Sequence, residues 1–293
     1  MKKIIFVILL ALAGLGLYFY PQVANYFSTR NATLAVQEYT DFIESVDMDI
    51  LEAELTKAQE YNKGLTGELV KDPFMPGSGI VLPKNYWELL HLTDTMGIVS
   101  IPKIDLELPF SHGTSPELLL RRVGHLEGSA LPVGGLGTHA VLTGHTGLTN
   151  AKLFTDLRDL VIGDIFFIQV LHETLAYRVD QIKVVNPEVT EDLLPVPGQD
   201  LVTLITCTPY GINSHRLLVR GTRIEYNQEA VDAAQRAAEN RGMSAEQRLL
   251  LIVTAITSAV MICIIFLVLF LRRRKQEKQE QELKNQPLAE LTE

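Results

Sequence analysis

The sequence predicts a mainly β protein: a closed or nearly closed barrel with helical inserts, preceded by a helical region and a loop, and flanked by two membrane-spanning helices. Three observations lead to this prediction. Short β-prone runs, separated by Pro, Gly, Asn and Asp, follow one another from Met96 to Tyr226. Apolar residues recur at helical intervals between Thr33 and Asn62. Two long apolar runs lie near the ends of the 293-residue chain.

The first apolar run, Ile4–Tyr20, follows two lysines and is typical of a signal peptide or a membrane anchor. No small-x-small cleavage site follows it, because the residues at 18–21 are Tyr, Phe, Tyr and Pro. We therefore assign residues 1–20 to an N-terminal membrane anchor or signal, and we favour an anchor that is not cleaved.

The second apolar run, Leu249–Leu271, carries no charged residue and is long enough to cross a bilayer as a helix. It is apolar on every face, which argues against a buried core helix. Four cationic residues follow it, and such flanks tend to stay in the cytoplasm. The sequence thus predicts a transmembrane helix at 249–271 and a cytoplasmic tail at 272–293, with residues 21–248 on the outer side and both termini inside.

The segment after the first run is predicted to be an N-terminal helical region at residues 21–63, packed on the main domain. Its amphipathic pattern is interrupted near Asp47–Asp49, so the helix is expected to break there. Residues 64–79 contain several prolines and glycines, including the sequence Lys-Asp-Pro-Phe-Met-Pro-Gly from position 71. This composition excludes regular helix or strand and predicts an exposed loop.

The barrel is assigned to residues 80–226 and is followed by an Ala-, Gln- and Glu-rich helical stalk at 227–248. Helical pieces are expected within the barrel at Pro116–Val123 and Ala151–Leu160. The predicted strands are Gly97–Ile101, Leu106–Phe110, Ala140–Leu142, Ile165–Val170, Thr174–Val185, Leu201–Thr206 and Arg216–Ile224.

Charge and cysteine content narrow the classes of function. The net charge of −9 gives no support to nucleic-acid binding, which requires a basic face. Of the two cysteines, Cys263 lies in the second apolar run, and Cys207 ends a β-type run. An isolated thiol on a strand is often an inert core residue. In an outward-facing domain, where spare thiols are usually paired, a single free cysteine instead suggests reactivity.

Cys207 has candidate partners for acyl-transfer chemistry. Nine positions later Arg216 opens a second β-type run, and two runs paired as antiparallel neighbours would let both side chains face one cleft. His145 lies between glycines after an apolar run, and it could supply the imidazole that a thiol nucleophile needs. His215 is the rival, but it would point away from the cleft if Arg216 faces it. The remaining histidines are interpreted as surface or structural: His91, His112, His125, His139 and His172.

Residues 203–207, Thr-Leu-Ile-Thr-Cys, match the TLxTC signature of sortases, with an arginine at the expected spacing and a Thr-Gly-His upstream. The chain therefore resembles sortases over roughly residues 21–271, which implies a sortase-type barrel. The resemblance implies that Cys207 is the nucleophile, His145 the general acid and base, and Arg216 the donor to the substrate carbonyl and oxyanion.

Within that family the chain is most similar to the pilus-assembling class C enzymes. The second apolar run and the sequence Asp72-Pro73-Phe74 carry this similarity, because the latter resembles the lid motif that precedes the barrel in that class. The resemblance implies that Asp72 pairs with Arg216 and that Phe74 covers Cys207. Without the rest of the match, these three residues would be read as an ordinary turn.

The implied activity is that of a cysteine transpeptidase of the plasma membrane of a Gram-positive bacterium, with an extracellular catalytic domain. It would cleave LPxTG-like sorting signals of pilin subunits, hold each subunit as a thioester, and join it to a lysine of the next. One alternative is a housekeeping sortase that transfers surface proteins to a cell-wall precursor, and another is a non-catalytic module that binds pilins or wall polymer. Some sortases use calcium, but Glu188, Glu191 and Asp192 show no specific ligand spacing, and no cofactor is expected.

Overall fold

Eight strands close into a barrel in the order β1-β2-β3-β4-β7-β8-β6-β5. The β2–β3 and β4–β7 pairs are parallel, and all other neighbouring pairs are antiparallel. The strands are β1 (Gly97–Ile101), β2 (Leu106–His112), β3 (Val123–His125), β4 (Thr138–Thr143), β5 (Ile165–Val170), β6 (Glu173–Val185), β7 (Asp200–Thr208) and β8 (His215–Ile224). The mainly β barrel predicted from the sequence is therefore present.

This computed structural model describes residues 2–65, 70–74, 85–239 and 245–284. The chain divides into two units, Met1–Asn240 and Arg241–Glu293. The helices are α1 (Lys2–Ser45), α2 (Met48–Lys63), α3 (Pro116–Leu119), α4 (Gln228–Glu239) and α5 (Ala245–Lys284). Parts of several predicted segments lie outside the described residues: 66–69 and 75–79 of the loop, 80–84 of the barrel segment, 240–244 of the stalk, and 285–293 of the tail.

The barrel interior is filled by apolar side chains that alternate along each strand with residues on the outer face. Large side chains of this interior include Phe110, Phe166 and Tyr177, all fully buried. Gly221 on β8 is required for this packing, because a Cβ there would lie 2.5 Å from the Phe166 ring. The two aromatic rings of Phe166 and Tyr177 stack with centroids 5.6 Å apart.

The predicted break in the N-terminal helical region is confirmed. Helix α1 ends at Ser45, and Asp47 caps α2 by accepting a hydrogen bond from the backbone amide of Asp49 at 3.0 Å. Two polar side chains then fix α2 to the barrel. The Glu54 carboxylate accepts a hydrogen bond from the backbone N–H of Leu90 at 2.9 Å. The Asn62 side chain donates through Nδ2 to the Leu131 carbonyl at 2.9 Å and accepts at Oδ1 from the Leu131 N–H at 2.7 Å.

The prediction of two membrane-spanning helices is wrong. Within the described parts of the chain, no helix combines the length and the apolar character that a membrane crossing requires. The first apolar run, in residues 1–20, begins the 44-residue helix α1, which continues through Pro21 into polar sequence. The second, at 249–271, is the middle of the 40-residue helix α5, which ends in charged sequence. Each apolar run is thus part of a longer helix of mixed composition.

Two predicted helical pieces are shorter than expected. The segment predicted as helix at Pro116–Val123 forms only the single turn of α3, and Val123 begins the short strand β3, which was not predicted. Strand β3 pairs with both β2 and β4, and this tertiary pairing overrides the local helical pattern. The segment at Ala151–Leu160 contains a 3₁₀ helix at Thr155–Asp159.

Candidate active site

The β7–β8 pairing brings Cys207 and Arg216 together. The two residues lie directly opposite each other in the antiparallel register, so their side chains point to the same side of the sheet. Leu204 on β7 and Leu217 on β8 point into the barrel, which places Cys207 and Arg216 on the outer face. Cys207 is 8% exposed and Arg216 is 7% exposed.

His145 reaches the same end of the barrel because β4 runs parallel to β7. The β4–β7 ladder ends with Thr143 opposite Ile205, two residues before each of the predicted catalytic side chains. The Gly144 amide then donates to the Ile205 carbonyl at 3.1 Å, and the Phe154 amide donates to the His145 carbonyl at 3.1 Å. The backbone around His145 is thus fixed at the strand end on both sides.

Asp72 forms a buried ion pair with Arg216. Arg216 Nε donates to Asp72 Oδ1 and Arg216 Nη2 donates to Oδ2, both at 2.7 Å. The Asp72 side chain is 4% exposed and the Arg216 side chain 8%, so water screens the attraction between the two charges little. This two-bond geometry is the strong form of an arginine–carboxylate contact. It also occupies two of the N–H donors that the sequence analysis assigns to the substrate.

Phe74 lies between the histidine and the arginine. Its ring centroid is 5.1 Å from that of the His145 ring and 5.1 Å from Cζ of Arg216. The arginine contact is a cation–π interaction. Pro73, between the acid and the aromatic residue, is buried. The segment Asp72–Phe74 therefore contacts two of the three predicted catalytic side chains, His145 and Arg216.

Val70 also holds the segment Asp72–Phe74 near the site, and no sequence pattern had indicated this role. Its side chain is 4% exposed and packs on an apolar patch of the outer barrel face, together with Phe74 at the patch edge. The patch consists of Leu126, Val141, Leu193, Ile205 and Leu218. The buried residues Val70 and Asp72 flank the exposed Lys71, as in an extended segment that lies on a surface, but the pattern ends there because Pro73 is also buried.

Shortening Val70 should loosen this segment. Val70→Ala removes two buried carbon groups, worth about 1.5 kcal/mol at roughly 0.8 kcal/mol per group, so we expect about tenfold faster alkylation of Cys207 by iodoacetamide. Peptide mass spectrometry separates Cys207 from Cys263, whose rate should not change. The matched control is Val184→Ala, because Val184 is 60% exposed. Equal Cys207 rates in both variants would show that Val70 does not hold the segment down.

The electrostatic setting keeps the resting side chains neutral. Burial raises the pKa of the Cys207 thiol; Arg216 opposes this shift, and Asp72 adds to it. Burial lowers the pKa of the His145 imidazole. Both shifts disfavour the charged forms, so the thiolate–imidazolium pair is a minor population while Asp72 and Phe74 remain in place.

Four other histidines hydrogen-bond groups outside the candidate site. His215 hydrogen-bonds Ser214 at 2.8 Å through Nδ1, and strand alternation directs it away from the face that carries Arg216. His125 is fully buried, and its ring bonds the Tyr86 hydroxyl and the Ala130 carbonyl at 2.9 and 2.8 Å. His139 and His112 are also buried, and each hydrogen-bonds a backbone carbonyl.

The acidic residues weighed as calcium ligands do not converge. In the described part of the chain, no group of three or more His, Cys, Asp or Glu residues is placed to hold a metal ion. Asp192 is paired instead with Lys183, which lies on β6.

Comparison with known proteins places these features in a family. The model of the sortase domain matches residues 99–224. Sortase A of Bacillus anthracis is 33% identical over 135 residues, which are 45% of this chain and 61% of that protein. Sortase SrtE1 of Streptomyces coelicolor is 30% identical over 166 residues, 52% of this chain and 42% of that protein. The match thus spans about half the length of these two curated relatives.

Solved structures resemble the chain over nearly their whole length. Sortase C-1 from Streptococcus pneumoniae is 44% identical, with a TM-score of 0.63, and the match covers 66% of this chain and 100% of that one. Sortase C-1 from Actinomyces oris is 46% identical, with a TM-score of 0.58 and coverage of 60% and 99%. A pilus-related sortase C of Group B Streptococcus is 43% identical, with a TM-score of 0.61 and coverage of 65% and 97%.

Proposed function

The chain belongs to the sortase family, and on that premise we propose that it is a cysteine transpeptidase that polymerises pilin subunits. The pairing of Arg216 with Asp72 and the contact of Phe74 with the guanidinium support the proposal, because they place the predicted lid motif against the residue that lies opposite Cys207. A solved relative at 43% identity is described as pilus-related. Sortases are associated with the surface of Gram-positive bacteria, and we propose that location for this protein.

In the first step, the Cys207 thiolate attacks the carbonyl carbon of the threonine in an LPxTG-like sorting signal. Arg216 donates to the oxyanion that forms, using N–H groups that Asp72 occupies at rest. His145 protonates the departing amine, and the C–N bond breaks to leave a thioester on Cys207.

In the second step, the ε-amine of a lysine on another pilin attacks the thioester. His145 accepts the proton that the amine loses, an isopeptide bond forms, and Cys207 leaves as a thiolate. Water competes with the amine at this stage, so a partly dry groove favours transfer over hydrolysis. The apolar patch beneath Val70 supplies such a surface on the outer face of the barrel.

The lid and the chemistry are linked through Arg216. Departure of Asp72 frees two guanidinium donors and removes a negative charge that raises the thiol pKa. Opening therefore creates the oxyanion donor and favours the thiolate in the same movement. The proposal gives the lid segment a chemical role in addition to steric cover.

Incubation of the full chain, carrying Asp72→Ala and Phe74→Ala, with a sorting-signal peptide tests the first step. We expect a mass increase on Cys207 that equals the acyl fragment, and none in a variant that also carries Cys207→Ala. No mass increase in the first sample would refute the transpeptidase and favour a non-catalytic binding module.

Incubation with pilin subunits tests the second step. Covalent ladders linked through lysine are expected from a pilin polymerase. A housekeeping sortase would form the acyl-enzyme and yet produce no ladder, so this outcome would retain the transpeptidase and reject the pilus role.

A further inference from the structure

We propose that Thr206 is a positioning residue for His145, an inference that rests on the proposed function of the histidine. Thr206 precedes Cys207 on β7, and strand alternation directs its side chain away from the outer face. Its hydroxyl Oγ1 donates to the carbonyl oxygen of Gly144 at 2.7 Å. Thr206 is 2% exposed, so this bond forms away from water.

The acceptor of this bond belongs to the peptide unit that leads into His145. The Gly144 carbonyl and the His145 amide share one plane, and holding the carbonyl fixes the orientation of that plane. On the other side of Gly144, its amide donates to the Ile205 carbonyl at 3.1 Å. Two neighbouring residues of β7 therefore hold both polar groups of Gly144, one through a backbone carbonyl and one through a side chain.

The hydroxyl is needed because the ladder stops just before this point. Strands β4 and β7 pair in register as far as Thr143 and Ile205, and beyond them β4 turns away toward His145. The Gly144 carbonyl is buried and must find a donor, since an unpaired buried carbonyl is costly. Thr206 supplies that donor one residue before Cys207. Its hydroxyl therefore fixes the end of β4, which leads to His145, against β7, which carries Cys207.

The Phe154 ring packs closely on Gly144 and restricts the backbone conformation at the end of β4. A Cβ at position 144 would lie 2.8 Å from the Phe154 ring, and the Phe154 amide binds the His145 carbonyl. The ring presses on the glycine from one side, and the Thr206 hydroxyl holds its carbonyl. Without the hydroxyl, the 144–145 peptide can rotate, and the imidazole moves with it.

Thr206→Val tests the proposal, because valine keeps the branched shape of threonine and deletes the donor. We expect kcat for acyl transfer from a sorting-signal peptide to fall about tenfold, with KM changed less than twofold. Thr206→Ser should restore most of kcat. The control is Ser129→Ala, which removes a buried hydroxyl that donates to the Leu126 carbonyl at the same 2.7 Å. That variant should lower the melting temperature and leave the kcat pH profile unchanged.

A second measurement needs no substrate and so separates this proposal from the proposed function. NMR titration of the imidazole carbon-bound protons, assigned with a His145→Asn variant, reports the chemical shift and pKa of His145. Thr206→Val should move both, and Ser129→Ala should move neither. An unchanged His145 signal, or an unchanged kcat in an active enzyme, would overturn the positioning role. Absence of turnover in the protein that carries Asp72→Ala and Phe74→Ala would instead refute the function and leave the NMR result to decide the role of Thr206.

Discussion

Arg216→Ala is expected to lower turnover of a sorting-signal substrate by at least about a hundredfold. Loss of one oxyanion donor typically costs about 3 kcal/mol of transition-state stabilisation. The guanidinium offers two N–H groups in one plane, as its two bonds to Asp72 illustrate. Arg216→Lys should recover little, because an ammonium group lacks this planar fork. The measurement is kcat/KM for peptide cleavage with each variant.

Alkylation of Cys207 separates loss of chemistry from loss of fold. Arg216→Ala also breaks the buried ion pair and leaves Asp72 unpaired, so the segment that carries Asp72 and Phe74 should open, and Cys207 should be alkylated faster than in the unaltered protein even though turnover falls. The matched control is Arg220→Ala. Arg220 lies four residues further along β8 and forms a similar two-bond pair with Asp180, at 3.0 and 2.8 Å. If Arg216→Ala and Arg220→Ala reduced turnover equally, the oxyanion role would be refuted.

Asp72→Ala should accelerate alkylation of Cys207 by about a hundredfold. Removing one partner of a buried ion pair costs about 3 kcal/mol or more, because the remaining charge is left buried and unpaired. Arg216 can regain hydration only when the segment carrying Phe74 moves away, so the open form becomes more populated. The Asp72 carboxylate also raises the pKa of the Cys207 thiol, so its loss increases the thiolate fraction and further accelerates alkylation.

The rate of iodoacetamide labelling at fixed pH measures this effect, with Cys263 as the internal reference. Asp180→Ala is the control, since it breaks the more exposed pair with Arg220, whose side chain is 19% exposed. We expect that variant to leave the labelling rate unchanged, because exposed pairs contribute little. An unchanged rate in Asp72→Ala would mean that the ion pair does not keep the lid closed.

Local sequence patterns were sufficient for most of the barrel. Short β-prone runs separated by Pro, Gly, Asn and Asp located β1 and β5 at their observed bounds, and the other predicted strands differ from the observed ones by no more than two residues at either end. The capping residue Asp47 explains why the helix break was also predictable. Strand β3 was missed because three residues carry too little periodicity, and its pairing partners lie elsewhere in the chain.

Local sequence patterns predicted only part of the candidate active site. The nine-residue spacing of Cys207 and Arg216 suggested a shared face, because a hairpin fixes the register between neighbouring strands. The contribution of β4 was harder to predict, since its parallel pairing with β7 joins segments about 60 residues apart. The roles of Val70 and Thr206 depend on this pairing and on packing, and neither residue belongs to a pattern that specifies its contact. The prediction from the two apolar runs was wrong because their length, their lack of charge and their cationic flanks were together taken to mean a membrane crossing.

The covered thiol has a consequence for the chemical lifetime of the protein. Peroxide converts thiolates, far faster than thiols, to sulfenic acid, and further reaction gives forms that cells do not readily repair. Cys207 at rest is 8% exposed, and burial together with the Asp72 carboxylate raises the pKa of its thiol, which favours the protonated form. In the proposed mechanism, the burial and the carboxylate that keep the thiol protonated at rest would thus also protect the sulfur against irreversible oxidation.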